Sequence, residues 1–429
     1  MLENLQSLLS DSDFISTHQV DPKYFTRERK LPFQALCWLI LTQLRFAIQL
    51  ELERFFVGAF NQLDQVPVPS AFTKARRKLN ASAFVALNQR VQETFAEHVC
   101  GNDSRTHWRG LSLKAVDGST LRLPNTPEMT KYFGGMQPAK SDFVPMARIS
   151  FLYNVLTEVV VAGEITPYGV GEGTHAERFL DEVSTDDCLL YDRGYFDQLL
   201  PALICAKGAH FIMRVGLGQW KVAKEFAESG EAERLVTLKV PLWVREEWKD
   251  DGVELTEEIS ARLVRVELST NEVEVLLTDL VDNQQYPAEE FAGVYHKRWG
   301  IEESFKTLKC TLEIENWSGR TPHAVEQDFQ ATIVMMNIAQ TLAFLKAPEV
   351  EKETRDRKHS NKINVKRTIA ILRDQMSVLY QASDEKAEQI LRLIGDRMMK
   401  GLSLVRAGRS SPRKPRPKRI YADPYKPTS

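Results

Sequence analysis

The spacing of apolar positions changes near residue 106. From residue 1 to 105, apolar side chains recur every three or four residues, as in Phe33–Phe60, which predicts amphipathic helices. Pro32 suits the first turn of one helix, and Ser70 is a suitable N-cap for another, Ala71–Leu79. We therefore expect a helical N-terminal domain over residues 1–106.

After His107, alternating apolar positions and short apolar runs predict β-strands with helices between them. The predicted order is β-β-β-α-β-α-β, which is typical of a mixed α/β core. The strands are Leu111–Leu123, Arg148–Leu156, Glu158–Ile165, Cys188–Tyr191 and His210–Val215; a loop spans Pro124–Pro145, and helices span Ala176–Val183 and Phe196–Cys205.

A β-rich stretch over residues 217–280 follows this core and precedes two helical stretches. We expect a core domain over 107–345 that contains this stretch as an insertion. A helical C-terminal region with a Pro-rich tail is expected over 346–429. The predicted strands are Arg234–Arg245, Ala261–Leu268 and Glu272–Asp279, and the predicted helices are Pro287–Leu312 and Ala324–Leu345.

Composition limits the class of protein. With 43% hydrophobic residues the chain can bury sizeable cores, so extended disorder is not expected. The five cysteines form no Cys-x-x-Cys pair, which argues against a disulfide framework or a structural zinc site. The N-terminus has no signal-peptide pattern, and polar residues interrupt the most apolar early stretch, Leu36–Leu52. We therefore expect a cytoplasmic protein.

Charge is distributed unevenly along the chain, although the formal net charge is only −2. Residues 400–429 carry nine Lys or Arg against one Asp, a net charge of +8, so residues 1–399 carry −10. A basic tail on an acidic body indicates a polyanionic partner for the tail. A basic Pro-rich tail is equally common as a simple solubility extension, so charge alone leaves both interpretations open.

Two predicted strands end in an aspartate that is closely followed by glycine. Asp117 stands in Val-Asp-Gly-Ser-Thr, and Asp192 stands in Tyr-Asp-Arg-Gly-Tyr. An Asp-Gly pair also makes ordinary turns, so each motif alone is weak. Two such strands in one sheet would bring the carboxylates together, where they repel unless a proton or a cation lies between them. This arrangement favours a site for a hard divalent cation.

The most specific pattern is Tyr-His-Lys-Arg-Trp-Gly-Ile-Glu-Glu, which begins at Tyr295. In a continuous helix, Tyr295, Arg298, Glu302 and Lys309 would share one face, whereas Glu303 would point about 100° away. A solvated helix with an Arg298–Glu302 pair is the simpler alternative. The interleaving of basic and aromatic residues around one carboxylate favours a phosphate-facing surface.

These three motifs together resemble the DDE transposases of the insertion-sequence-four group. The hallmark of that group is Tyr, two residues, Arg, three residues, Glu, six residues, Lys, and the chain matches it from Tyr295 to Lys309. Asp117 and Asp192 match the contexts of the family's first two acids. The resemblance covers about residues 110–345 and implies an RNase H-like mixed-sheet catalytic core with a β-rich insertion, flanked by helical regions.

The resemblance also implies a mechanism. Asp117, Asp192 and Glu302 would be catalytic and would hold two Mg²⁺ or Mn²⁺ ions, with Asp117 bridging them. Arg298 and Lys309 would grip DNA phosphates, and Tyr295 would bind a phosphate or support a distorted strand end. The family cleaves double-stranded DNA through a hairpin and works as a dimer that pairs two transposon ends. A nucleoid-associated bacterial protein is expected.

The sequence does not decide which other residues contact DNA. Lys74, Arg76, Arg77 and Lys78 on a short helix are candidates for recognising the ends, with a charged exposed helix as the alternative. Arg193 is either a DNA contact or half of a surface ion pair. The tail would add salt-sensitive affinity. Hairpin formation needs an aromatic ring to stack on an unpaired base. The candidates are Trp220, Trp243 and Trp248. Each of them is equally interpretable as a core or rim residue.

Three other functions compete with transposition. Another RNase H-like nuclease would cut DNA without joining it to a target. A transposase-derived repressor would bind ends without cutting, and the intact acidic triad argues against it. A carboxylate-based hydrolase acting on sugars would not need Arg298 and Lys309 beside its acid.

Overall fold

The computed structural model describes residues 2–27, 29–99, 103, 105–138, 142–250, 252–268 and 272–405. The chain divides into two compact units. Unit 1 comprises Met1–Gly101, Thr120–Ala147 and Lys306–Ser429; unit 2 comprises Asn102–Ser119 and Arg148–Phe305. The basic tail, to which DNA affinity is ascribed above, lies outside the described residues from position 406 onward.

The secondary structure contains sixteen α-helices and eleven strands among the described residues. The helices are α1 Leu2–Ser10, α2 Ser12–His18, α3 Phe33–Leu41, α4 Ile48–Phe60, α5 Pro69–Arg76, α6 Ser82–His98, α7 Pro127–Phe133, α8 Glu172–Arg178, α9 Leu199–Ala206, α10 Lys221–Ser229, α11 Leu242–Lys249, α12 Ala288–His296, α13 Gly300–Lys306, α14 Pro322–Thr354, α15 Val365–Tyr380 and α16 Asp384–Met399. The strands are β1 Ser112–Arg122, β2 Gly135–Met136, β3 Val144–Asn154, β4 Val159–Pro167, β5 Asp187–Tyr191, β6 His210–Val215, β7 Glu233–Lys239, β8 Glu258–Glu267, β9 Val273–Thr278, β10 Asn361–Ile363 and β11 Leu402–Leu404.

Unit 1 is built around the long helix α14. Thr321 caps its start, since the Thr321 hydroxyl accepts a hydrogen bond from the backbone N–H of Ala324, and Pro322 occupies the first turn. Buried residues follow one another almost without interruption from Ala331 to Ala339, so this part of the helix is covered on all sides. Helices α3, α6 and α15 pack against α14 and supply that cover.

Unit 2 is built around a mixed sheet. Its strands follow the order β3-β1-β5-β6-β9-β8-β7, and β4 pairs with β3. Strands β1, β5 and β6 are parallel, whereas β9, β8 and β7 continue the sheet in antiparallel fashion. Three successive strands β1, β3 and β4 next to parallel β5 and β6 form the RNase H-like arrangement. The predicted mixed α/β core is therefore confirmed, and the predicted β-rich insertion extends the same sheet.

Several local predictions need correction. The predicted loop Pro124–Pro145 contains α7 and the short strand β2. The predicted strand Arg234–Arg245 is β7 followed by α11, because Pro241 ends the extended stretch and begins a helix whose residue Val244 is buried. The two units do not follow the bounds of the three expected domains, since α14, α15 and α16 belong to one unit with α1–α6, and those domains stay a prediction. Among the described residues, no helix has the length and apolar content needed to cross a bilayer.

Candidate functional site

The register of the parallel strands brings Asp117 and Asp192 side by side. Ala115 of β1 is aligned with Leu190 of β5, and each aspartate lies two residues further along its chain. Neighbouring strands are about 4.8 Å apart. The two carboxylates therefore start from adjacent backbone positions, which is what the two Asp motifs predict.

Asp117 lies in a partly buried position, with 20% of its side chain exposed. Its Oδ1 accepts a hydrogen bond of 2.8 Å from the backbone N–H of Gly118. Burial raises the pKa of Asp117 from 3.8 to about 6. The hydrogen bond from Gly118 and the charge of Arg298 oppose the rise in pKa, whereas the negative charges of Asp192 and Glu172 add to it.

Asp192 lies directly after β5 and caps a single 3₁₀ turn, Arg193–Tyr195. Its Oδ1 accepts a hydrogen bond of 2.8 Å from the backbone N–H of Gly194. The turn explains the Asp-Arg-Gly sequence, because the Asp side chain satisfies a backbone donor that the short turn leaves free. Arg193 itself is exposed.

Arg298 links the first and third acids of the predicted triad. Its guanidinium is 7% exposed, with Nη1 3.6 Å from Oδ2 of Asp117 and Nη2 3.5 Å from Oε1 of Glu302. The Nε of Arg298 is buried and has no hydrogen-bond partner among the described residues. Arg298 therefore contacts both carboxylates and keeps a donor free for a further acceptor.

The helix predicted over Pro287–Leu312 is interrupted at this place. Helix α12 ends at His296, a 3₁₀ turn covers Lys297–Trp299, and α13 carries Glu302. Helix α13 is seated on β3, because the ring of Phe305 stacks on that of Phe151 at 4.6 Å between centroids. Glu302 is 37% exposed, and Glu303 is exposed on another side of α13.

The acidic residues offer only oxygen donors, which suits a hard divalent cation rather than a thiophilic metal. A cation would also relieve the repulsion that helps to raise the pKa of Asp117. Among the described residues, no three His, Cys, Asp or Glu side chains lie close enough to ligate one metal ion in this conformation. Asp117 and Glu302 are instead both paired with Arg298.

Tyr295 has a different role from the predicted phosphate contact. Its hydroxyl is buried and donates a 3.1 Å hydrogen bond to the backbone carbonyl of Tyr191, the last residue of β5. Burial raises the pKa of Tyr295 to about 12. Tyr295 therefore fixes α12 to the end of the strand that precedes Asp192, and it supports the site through the backbone.

Lys309 belongs to unit 1, in a π-helical turn over Thr307–Thr311. Burial lowers the pKa of Lys309, and the negative charge of Glu315 partly offsets this effect. The four motif residues lie in one continuous helical run whose type changes to 3₁₀ at Lys297–Trp299 and to π at Thr307–Thr311, so the run is not a single regular α-helix.

The basic segment of α5 is divided between two environments. Arg76 is buried and donates hydrogen bonds within unit 1, which corrects the expectation that it contacts DNA. Lys74 and Arg77 are exposed, and Lys78 is half-buried. The acceptors of the Arg76 guanidinium are Ser318, Ala324, Gln327 and Asp328.

Lys74 and Lys78 line a cavity of about 820 Å³ in unit 1. Tyr24 also lines it, with the Nζ of Lys78 5.2 Å from the centroid of the Tyr24 ring. The cavity is strongly basic, since its walls also include Lys23, Arg27, Arg29 and Lys30. The sequence pattern gave no indication of these additional basic residues, because they lie outside any predicted helix or strand.

The tryptophans predicted to stack on a base differ in exposure. Trp220 and Trp248 pack against the core of unit 2, whereas Trp243 is exposed on α11. Trp299 was not among the predicted candidates, although it is 47% exposed and its ring centroid lies 5.6 Å from the Arg298 guanidinium. Its position directly after Arg298 in the motif is the signal that could have identified it.

Glu172 and Arg148 are two further residues near Asp117 that no sequence motif indicates. They form a 2.9 Å hydrogen bond between Arg148 Nη1 and Glu172 Oε1. A Cβ atom added to Gly118 would lie 2.5 Å from Cδ of Glu172. Glu172 therefore packs directly against the residue that follows Asp117.

Comparison with known proteins identifies the family. The model of the transposase DDE domain family matches residues 108–338, more than half of the chain. The transposase InsG for insertion sequence element IS4 of Escherichia coli (strain K12) is 26% identical over 322 residues, 73% of this chain and 70% of InsG. InsZ, a candidate transposase of the same strain, is 26% identical over 213 residues, 48% of this chain and 67% of InsZ.

The chain was also compared with solved structures, and one match is a piggyBac transposase synaptic complex with hairpin DNA. The match covers 92% of this chain and 84% of the piggyBac chain, with a TM-score of 0.45 and 11% sequence identity. The family model spans β1 and Asp117, β5 and Asp192, and the helical motif with Glu302. The chain therefore belongs to the transposase DDE domain family.

Proposed function

We propose that this chain is a transposase that cleaves DNA at the ends of an insertion sequence and joins the released ends to target DNA. The observation that carries the proposal is that Asp117 and Asp192 each lie two residues beyond the aligned pair Ala115 and Leu190 of adjacent parallel strands, together with Arg298, which contacts both Asp117 and Glu302. Family membership over residues 108–338 supports the same reaction.

Asp117, Asp192 and Glu302 are proposed as the catalytic residues. DDE transposases use divalent metal ions, and here we propose two Mg²⁺ or Mn²⁺ ions held by these three carboxylates. When bound, such ions activate the attacking oxygen and stabilise the departing one. The carboxylates must be ionised to act as ligands, so the raised pKa of Asp117 makes cation binding sensitive to pH near 6.

Arg298 is proposed to hold the phosphate group next to the cleaved bond. It is already charged and largely desolvated, and its Nε has no hydrogen-bond partner among the described residues. A phosphate oxygen would satisfy that donor, and guanidinium groups bind phosphates with two parallel hydrogen bonds. Lys309 is proposed as a second phosphate contact, and Arg193 as an exposed contact beside Asp192.

Unit 1 is proposed to bind the transposon end through its basic cavity. Lys74 and Lys78 would contact the backbone of double-stranded DNA, with Arg77 as an exposed neighbour. Phosphate contacts of this kind set the position of a duplex and make its affinity depend on salt. We propose residues 1–106 as the end-binding domain, 107–345 as the catalytic domain and 346–429 as an accessory region.

Cleavage of the second strand is proposed to proceed through a DNA hairpin. An unpaired base at the hairpin needs an aromatic surface, and Trp299 offers one beside Arg298. We also propose that two copies of the chain pair the two ends of one element in the DNA-bound complex. Each copy would then cut one end, and the complex would work on chromosomal DNA in the bacterial nucleoid.

The proposal is tested with single-residue variants and linear DNA carrying the element's ends. Glu302→Ala is expected to abolish Mg²⁺-dependent cleavage and to keep end binding in EDTA, because the Glu302 side chain is 37% exposed on α13. Glu303→Ala is the matched control and is expected to cleave at the normal rate. Cleavage by Glu302→Ala would contradict the proposed triad.

A target plasmid added to the same reaction separates transposition from its competitors. Joined products are expected for a transposase. Cutting without joining would indicate an RNase H-like nuclease, and end binding without cutting in Mg²⁺ or Mn²⁺ would indicate a DNA-binding derivative. Sedimentation of the protein with and without end DNA measures the proposed pairing of two copies.

A further inference from the structure

Glu172 is a fourth carboxylate close to Asp117, and it has no part in the triad. It is the first residue of α8, and its Oε1 accepts a hydrogen bond of 2.9 Å from Nη1 of Arg148 on β3. Arg148 is held from a second side by the ring of Tyr168, whose centroid lies 5.3 Å from the guanidinium. The position of Glu172 is therefore set by contacts on both α8 and β3.

The glycine after Asp117 makes this approach possible. A Cβ atom at position 118 would lie 2.5 Å from Cδ and 2.6 Å from Cγ of Glu172, closer than atoms can stand. A side chain at position 118 would force the Glu172 side chain to move away from this part of β1. Gly118 lies inside β1, and its lack of a side chain leaves room for a second acidic side chain next to Asp117.

An ordinary surface ion pair does not explain this arrangement. A partly buried pair such as Arg148–Glu172 contributes little by itself, and a carboxylate beside another carboxylate is repelled. Four carboxylates and two guanidiniums surround the site, so two negative charges have no counter-charge among these six groups. These groups are Asp117, Glu172, Asp192 and Glu302 with Arg148 and Arg298.

We propose that Glu172 is a positioning residue that raises the affinity of the acidic site for divalent cations, through its charge and its contact with the backbone at Gly118. Arg148 keeps the Glu172 carboxylate in place. The inference rests on the proposed function, since it takes Asp117 as a cation ligand. Removal of charges next to metal ligands typically weakens cation binding about tenfold or more.

The test measures binding of Mn²⁺ alone, without DNA, by the loss of the electron paramagnetic resonance signal of free Mn²⁺. Glu172→Gln, which keeps the shape and removes the charge, is expected to weaken Mn²⁺ binding about tenfold. Glu172→Asp, which keeps the charge, is expected to stay within about threefold of the parent protein. Glu164→Gln is the matched control, because Glu164 pairs with Arg178 at 2.9 Å and is expected to leave Mn²⁺ affinity unchanged.

Cleavage gives a second readout. Glu172→Gln is expected to cut slowly at limiting Mn²⁺ and at the normal rate when Mn²⁺ is saturating, whereas a variant with a damaged fold would remain slow at all concentrations. Thermal unfolding of each variant identifies any loss of fold directly.

Asp117→Ala distinguishes a failure of the proposed metal site from a failure of the proposed role of Glu172. If Asp117→Ala loses Mn²⁺ binding and Glu172→Gln binds like the parent protein, the role of Glu172 is refuted and the metal site stands. If Asp117→Ala itself binds Mn²⁺ normally, the proposed metal site fails, and the role of Glu172 fails with it.

Discussion

Asp117→Asn should stabilise the protein while it abolishes cleavage. The Asp117 carboxyl has a pKa of about 6 in the folded chain, against 3.8 for the exposed group. That rise corresponds to about 3 kcal/mol of unfavourable free energy when the folded protein carries the charge. Asparagine has nearly the same shape and no charge, so the variant is expected to recover most of this free energy.

The effect has a defined dependence on pH. Below pH 3.8 the carboxyl is protonated in both the folded and the unfolded chain, so Asp117 contributes no difference there. Between pH 3.8 and about 6 the unfolded chain loses its proton first, so the stability of the parent protein falls as pH rises. Above pH 6 both states are ionised, and the variant's advantage is complete and constant.

Thermal unfolding in EDTA measures this advantage. At about pH 8 the melting temperature of Asp117→Asn should exceed that of the parent protein by about 3 to 8 °C, depending on how much of the chain unfolds together, and at about pH 4 the two should nearly coincide. Asp181→Asn is the control, because the Asp181 side chain is 88% exposed and its loss should change little. Equal melting temperatures at pH 8, or a variant that is less stable at every pH, would refute the burial argument.

Three other variants test separate parts of the site. Tyr295→Phe removes a buried hydrogen bond to the end of β5, so the free energy of unfolding should fall by about 1 kcal/mol. End binding in EDTA, measured by gel shift, should be unchanged. Weaker binding would indicate that Tyr295 contacts a phosphate directly. Trp299→Ala should leave the rate of the first strand cleavage unchanged and slow hairpin formation about 10- to 100-fold, as measured on denaturing gels. Hairpin formation at the normal rate would show that another ring stacks on the base. Lys74→Ala combined with Lys78→Ala should weaken end binding and reduce the slope of log K against log salt by about 2, whereas an unchanged slope would remove the basic cavity from the DNA interface.

The sequence predicts the parts of this site that depend on strands. The apolar runs before Asp117 and Asp192 are short and bounded, so they identify strands, and the structure aligns β1 and β5 in parallel. The alternation of residues cannot predict which strands are neighbours. It also cannot reveal that the inserted strands β7, β8 and β9 join the same sheet.

The helical part of the site was predicted less well, for an identifiable reason. The spacing of Tyr295, Arg298 and Glu302 describes an uninterrupted helix, but the chain has a 3₁₀ turn between α12 and α13. Arg298 and Glu302 nevertheless meet at 3.5 Å as an i,i+4 pair, so the helical spacing is kept for these two residues. The hydrogen bond from Tyr295 to the backbone of Tyr191 and the stacking of Phe305 on Phe151 are tertiary contacts, which the spacing of the motif does not reveal.

The different origins of the three acids determine which part of the site can adjust. Asp117 and Asp192 take their relative positions from the register of two parallel strands, and one carboxylate oxygen of each accepts a hydrogen bond from a nearby backbone N–H, that of Gly118 in β1 and that of Gly194 in the turn after β5. Glu302 comes from a helix after a break, and its carboxylate contacts Arg298 at 3.5 Å. Arg298 is a long side chain that pairs with two acids and is bound firmly to neither. Under the proposed function, a cation held by Asp117 and Glu302 would replace Arg298 as their partner, and the guanidinium would then be available to a phosphate group.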